Sequence, residues 1–315
     1  MWTDYIDAYL FAPDKVEPRS PIRYFPSEAS MINPILGLIG ACNRKCYYSI
    51  MGVQPANPID PTGRRVLYSG KMIEVREINW AKQANIYKDN SVKFTNIVGK
   101  IKISGEIDAV FHTPEDLITL EGIEYKTGSG DYFKGEVYGT PLWGKTKVAV
   151  PKADNLLQVM LYLDYFNKPN QSPYILKRFT LIYQDRACSK PTHHEHTVEL
   201  APDGGAIVNG SPWPMFNVNG IYQRYNELNS YVEKNEVPPM DYKNYLSQAD
   251  LKEMYNSGEL SKARYLSNLK KQNPMNWHCE YCSYRDRCIS DGGCMNQKVL
   301  QVGKTEELEV VETLI

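Results

Sequence analysis

Three residues in the middle of the chain have the types and spacing for phosphoryl chemistry. Asp108 stands in GEIDAV, and Glu124 and Lys126 stand in IEYKTG. In a strand, residues two apart share a face, so Glu124 and Lys126 project together and Tyr125 turns the other way. If the two segments pair around the intervening TPED turn, Asp108 comes beside Glu124. Two carboxylates converging on one point repel unless a divalent cation lies between them. Hard oxygen ligands suit magnesium or manganese. A lysine beside such an ion orients or helps deprotonate water, or stabilises charge on a phosphate. The D-x15-E-x-K pattern is loose by itself, and a surface hairpin with salt-bridged side chains would also carry it.

Neighbouring residues add to the pattern. Gln158 and Tyr162 are four apart in an apolar, helix-like stretch, hence on one helical face. An amide and a phenol there can both reach a phosphate or a nucleobase. Glu74, in GKMIEV, follows Gly70, which permits close approach of its segment to another element. Glu74 can supply a third carboxylate.

A second constellation is built of sulfur. The seven cysteines are Cys42, Cys46, Cys188, Cys279, Cys282, Cys288 and Cys294. An odd number without a signal peptide argues against a secreted disulfide framework. Four of them crowd into WHCEYCSYRDRCISDGGC. The Cys279–Cys282 step suits two thiolates on one metal centre, Cys288 adds a third, and such centres want four. The fourth is either Cys294, closing a local zinc knot, or the remote Cys42 or Cys46, which fits an iron–sulfur cluster or a zinc staple. The metal's identity stays open at this level.

The elements that must position these residues read as follows. Residues 1–30 form an irregular, proline-rich leader, and Ile32 to Tyr48 reads as a helix with an internal glycine pair. Residues 54–66 are a loop, and 67–87 an amphipathic helix with Met72, Ile73, Val75, Ile78, Trp80, Ala81 and Ala84 at helical spacing. Strands cover Lys93 to Thr113 and Leu117 to Gly128. Residues 128–153 are a long basic loop, and Asp154 caps a helix running to about Asn167. RFTLIYQDR and HHEHTVEL are strands, while 216–235 and 247–272 are helical.

Composition sets the class. The 315 residues are 42% hydrophobic and 23% charged, as in ordinary globular proteins. No apolar run approaches the roughly 18–20 residues of a membrane span. The formal charge is −1, so nucleic-acid binding requires a local basic groove and not a global field. Tyrosine is abundant at 23 residues, and its flat ring with a polar tip suits half-buried positions or the sides of nucleobases.

Taken together, the motifs resemble the RecB-like branch of the PD-(D/E)XK nuclease superfamily, in particular the iron–sulfur nuclease of CRISPR adaptation (the fourth Cas family) and its phage relatives. The likeness runs over roughly residues 40–290 in family order: CNRKCYY, GEIDAV, EYK, QVMLY and the terminal C-x2-C-x5-C. It implies an α/β fold, with a restriction-endonuclease-like mixed sheet flanked by helices and helical N- and C-terminal parts joined by a cluster. The segments are then 1–66 with the first cluster cysteine, a nuclease core at 67–200, a helical cysteine-loop part at 201–294, and an acidic tail at 295–315. It implies a [4Fe–4S] cluster on Cys42, Cys279, Cys282 and Cys288. It also implies magnesium or manganese held by Glu74, Asp108, Glu124 and the Tyr125 carbonyl, with Lys126, Gln158 and Tyr162 completing the catalytic set. Family members commonly place a metal-binding His where this chain has Glu74. The implied activity is metal-dependent hydrolysis of DNA, often as a single-strand exonuclease, in the cytoplasm (of the host, if the chain is viral). DNA is the implied partner and a homo-oligomer is compatible. A catalytically idle DNA-end binder of the same fold and a zinc-stapled structural protein are the competing readings.

Overall fold

The alternation around Asp108 and Glu124 becomes the centre of a seven-stranded sheet. The computed structural model describes residues 2–11, 16–113, 116–141, 148–257 and 260–293. Cys294, the acidic tail, part of the TPED turn and residues 142–147 of the basic loop lie outside them. The chain divides into two compact units, Met1–Asp241 and Tyr242–Ile315.

In the first unit the elements run α1 (Trp2–Phe11), β1 (Ser30–Asn33), β2 (Gly37–Gly40), α2 (Asn43–Ile50), α3 (Pro61–Gln83), β3 (Tyr87–Val98), β4 (Ile101–His112) and β5 (Leu120–Gly128). They continue with α4 (Asp131–Val137), α5 (Ala153–Phe166), β6 (Arg178–Asp185), β7 (His193–Leu200), β8 (Gly205–Val208), β9 (Ser211–Asn217) and α6 (Val218–Lys234). The large sheet keeps sequence order from β3 to β9. Its neighbours are antiparallel except β5 and β6, which pair in parallel and are joined through α4 and α5. A parallel pair needs such a crossover.

Helices cover both faces of the sheet. Ile78 and Ala81 of α3 pack with Ala109, Phe111 and Ile123 on one face. On the other, Tyr162 and Phe166 of α5 meet Phe94 and Phe179 ring to ring. Gly122 is required here: a Cβ would lie 2.3 Å from the Phe179 ring. Helix α6 packs beyond α5, where Tyr222 donates to Asp164 at 2.5 Å.

Several sequence expectations change. Ile32 to Tyr48 is no helix but the β1–β2 hairpin followed by α2. Gly37 and Gly40 take φ of +70° and +88°, left-handed backbone that a helix cannot contain. Helix α3 starts six residues early, because Asp60 accepts from the Gly63 N–H and Pro61 sits in the first turn. Only part of its apolar set is inside: Ile73, Ile78 and Ala81 are buried, while Met72, Val75 and Trp80 are exposed. The basic loop contains α4. Asp154 lies in the first turn of α5, whose N-cap is Lys152. The leader contains α1, and β8 and β9 fill a stretch with no strand expectation.

The second unit holds α7 (Gln248–Asn256), α8 (Lys262–Leu269), α9 (Trp277–Glu280) and α10 (Arg285–Cys288). The single helical stretch expected from 247 to 272 is thus two helices. Leu246, Leu251 and Leu260 form its small core.

Candidate active site

The site lies where β4 and β5 part. Their ladder runs from His112–Leu120 to Ala109–Ile123 and stops. Asp108 and Glu124 are the next residues on either strand. Here the Tyr125 N–H donates to Asp108 Oδ2 at 2.8 Å, a side-chain acceptor where the ladder ends. Beyond this point β5 continues against β6 only, through Gly128. The parting strands leave the two carboxylates close but not cross-linked.

Glu124 is 3% exposed. Its Oε1 accepts from Lys126 Nζ at 2.8 Å and from Gln158 Nε2 at 3.0 Å. Its Oε2 is buried with no hydrogen-bond partner among the described residues. Gln158 closes the network: its Oε1 accepts from Lys126 Nζ at 2.9 Å, and its Nε2 also donates to Tyr162 Oη at 2.6 Å. Tyr162 in turn donates to the Glu106 carbonyl at 3.3 Å. The expected face-sharing of Gln158 and Tyr162 therefore holds, but both are buried and directed at Glu124, Lys126 and Glu106. Their polar atoms are engaged with Glu124, Lys126 and the Glu106 carbonyl inside the protein.

Electrostatics follow from this burial. Burial, then Glu124 and Glu74, push the Asp108 carboxyl well above the usual range. Burial likewise raises Glu124, against the opposing pull of Lys126. Burial alone would lower the Lys126 ammonium, but Glu124 outweighs it and holds the pKa above an ordinary lysine's. Lys126 therefore stays charged near neutral pH. Tyr162 is pushed up by burial and keeps its proton.

Glu74 sits on α3, 9% exposed, and its charge is felt by both Asp108 and Glu124. Gly70, one turn earlier, allows the approach: a Cβ there would come 3.0 Å from Thr127 Oγ1 on β5. Lys71, three residues earlier on the helix, donates to Glu74 Oε1 at 2.5 Å. The Tyr125 side chain lies on the opposite face of β5 from Glu124, where burial and then Glu77 raise the pKa of its hydroxyl. It lines a cavity of about 320 Å³ with Trp80, Phe111, Ile123 and Ile182, on the α3 face of the sheet.

Among the described residues, no three His, Cys, Asp or Glu side chains converge closely enough to hold a metal ion. Magnesium does not require that many: it commonly uses one or two carboxylates and keeps water or substrate oxygens for the rest. The Asp108–Glu124 pair fits this demand: both acids are raised chiefly by burial, Glu124 adds to the shift of Asp108, and a buried Glu124 oxygen has no donor among the described residues. The sulfur set fares differently. Cys279 and Cys288 lie on α9 and α10 with Cys282 between, in the second unit, while Cys42 precedes α2 in the first. Within the second unit, Cys279, Cys282 and Cys288 do not come together as a group of three that could hold a metal ion, among the described residues. Cys46, an open candidate in the sequence, is 2% exposed, and burial pushes its thiol well up, as for an interior packing residue.

No curated protein matches the sequence. The chain is similar to a solved structure described as "Crystal structure of SSO0001", with 14% identity, a TM-score of 0.44 and coverage of 92% of this chain and 97% of that one. The model of one protein family, the PD-(D/E)XK nuclease superfamily, matches residues 70–289, which include Glu74, Asp108, Glu124, Lys126, Gln158 and Tyr162. That span exceeds half of the sequence, and the chain belongs to the PD-(D/E)XK nuclease superfamily.

Proposed function

We propose that the chain is a magnesium- or manganese-dependent deoxyribonuclease that digests single-stranded DNA from an end. The observation that carries this reading is the Glu124–Lys126–Gln158 network set beside Asp108 at the parting of β4 and β5. Asp108 and Glu124 would hold the ion, with Glu74 and the Tyr125 carbonyl as further ligands. The bound ion would polarise the scissile phosphate and lower the pKa of a water.

The chain's own residues do the rest. Lys126 is fixed by two acceptors and stays protonated, so it acts as a hydrogen-bond donor and positive charge beside the phosphorane, not as a base. Gln158 sets the Lys126 and Glu124 rotamers together. Tyr162 holds the Gln158 amide in that orientation. Burial of Glu124, Gln158 and Tyr162 limits screening of the Glu124 charge by bulk water.

The test is digestion of end-labelled single-stranded DNA with manganese, with and without chelator, on wild type, Asp108→Ala and Lys126→Ala. Wild type is expected to cleave and both variants to lose cleavage with the fold intact. Wild-type rates in both variants would reject this active site, and metal-independent cleavage would reject the mechanism. DNA binding without cleavage would favour the idle end-binding module.

The family resemblance adds a structural [4Fe–4S] cluster on Cys42, Cys279, Cys282 and Cys288. Anaerobic purification with an iron assay and a spectrum tests it separately. Thiolate-bound iron gives a brown protein absorbing near about 400 nm. A colourless protein with one zinc would remove the cluster and leave the nuclease assignment untouched.

A further inference from the structure

In the second unit three rings form a stack. Tyr242 and His278 lie face to face, 4.0 Å between centroids and 7° between planes. The Trp277 ring lies 3.6 Å from His278, tilted by 31°. Two rings cannot share one face of an imidazole at these distances, so His278 is enclosed between Tyr242 and Trp277. Trp277 is the outer member and is 55% exposed. One turn on, Tyr281 donates its N–H to the Trp277 carbonyl at 3.3 Å, and Tyr281 is 83% exposed.

The surroundings carry both signs of charge, with two ammonium groups next to each other in the chain. Lys270 and Lys271 are exposed in the segment leading to α9. Lys271 Nζ lies 4.0 Å from Glu280 Oε1, which places an ammonium alongside that helix. Residues 270–291 carry four basic and three acidic side chains, and Lys271, Arg285 and Arg287 each lie within ion-pair distance of a carboxylate, Glu280, Asp286 and Asp291. An aromatic face held in solvent and backed by two further rings, with exposed Lys270 and Lys271 in the segment before it, matches a flat base with a phosphate attached. Bases inside a duplex are already covered on both faces, so the chemistry selects an unpaired base.

We propose that Trp277, backed by His278 and Tyr242, is a stacking platform for a base of single-stranded DNA, with Lys271 on the adjoining phosphate. The proposal deepens the nuclease reading and rests on it for the identity of the strand. It assigns to the second unit a substrate contact made by rings, separate from the carboxylates of the first.

The test uses the full chain in chelator and a fluorescein-labelled oligothymidylate, read by anisotropy. Trp277→Ala is expected to weaken binding about 10-fold, within the range for loss of one stacked base, while Trp277→Phe keeps most of the affinity. Tyr281→Ala, at a more exposed ring, should act in the same direction and guards against a folding defect at Trp277. Lys271→Ala should flatten the salt dependence by about one phosphate contact. Wild-type affinity in both aromatic variants, or equal losses on a blunt duplex, would overturn the platform. The same preparations are then given manganese. Cleavage by wild type with unchanged binding in the variants rejects the platform alone. Weakened binding with no cleavage by any preparation rejects the nuclease reading alone.

Discussion

Gln158 gives both amide hydrogens to Glu124 and Tyr162 and its oxygen to Lys126, so one side chain sets the charge pattern of the site. Gln158→Ala should reduce cleavage by about 10- to 100-fold with little change in DNA binding, as measured by single-turnover rates against anisotropy. The two acids carry a pH signature. Because burial first, and then neighbouring carboxylates, raise Asp108 and Glu124, the folded chain keeps their protons to higher pH than the unfolded chain does. Their effect on stability is most favourable below the unfolded values and is lost as pH rises through the raised ones. Asp108→Asn removes a buried charge and should therefore raise the denaturation midpoint at neutral pH while abolishing cleavage. The gain should fall at about 0.5–2 kcal/mol, the ordinary range when a functional site gives up a costly group. Cleavage needs the charged acids, so at limiting metal it should fall on acidification with a midpoint above the usual carboxylate range. An Asp108→Asn protein less stable than wild type at pH 7 would contradict the raised carboxyl. At this scale the sequence was informative. Residue types and the two-residue strand period placed Glu124 and Lys126 together. Burial was not legible, so Gln158 and Tyr162 read as outward groups.

The parallel β5–β6 pair and its crossover bring Gln158 to the strand that bears Glu124 and Lys126. The pairing leaves little space at Gly122, whose missing side chain admits the Phe179 ring. Gly122→Ala should cost about 1–3 kcal/mol by overpacking, read as a lowered urea midpoint. At the far end of β6, Asp185 is fully buried, and Lys134 of α4 donates within 3.1 Å of it. Burial opposes the Asp185 charge, but hydrogen bonds from Ser189 and Lys134 hold its pKa at about 2. Asp185→Asn leaves the buried Lys134 ammonium without its counter-charge and should cost about 3–5 kcal/mol in the same measurement. Strands with clear alternation were legible. The β1–β2 hairpin was not, because a four-residue strand is too short for a period to show and its left-handed glycines can also be read as breaks in a helix. The early start of α3 is legible in Asp60–Pro61, a capping signal masked by the surrounding prolines and glycine.

For the molecule as a whole, the sequence carried the family-level arrangement because its motifs recur in order, and the match over residues 70–289 bears out that level. It could not carry the division at Asp241, since no composition change marks it. Metal linkage is a property of the whole chain. An ion bound by the folded state alone stabilises it by mass action, so manganese should raise the Tm of wild type and leave that of Asp108→Ala unchanged. An equal rise in both would place the ion elsewhere. The order of the strands has a further consequence. Asp108 and Glu124 lie on neighbouring segments of chain, whereas the amide that orients Lys126 arrives only with α5, and β5 gains its parallel neighbour only with β6. A ribosome that has released residues only as far as Gly128 has therefore delivered both acids without their organiser. Nascent and prematurely terminated chains should leave nearby nucleic acid uncut.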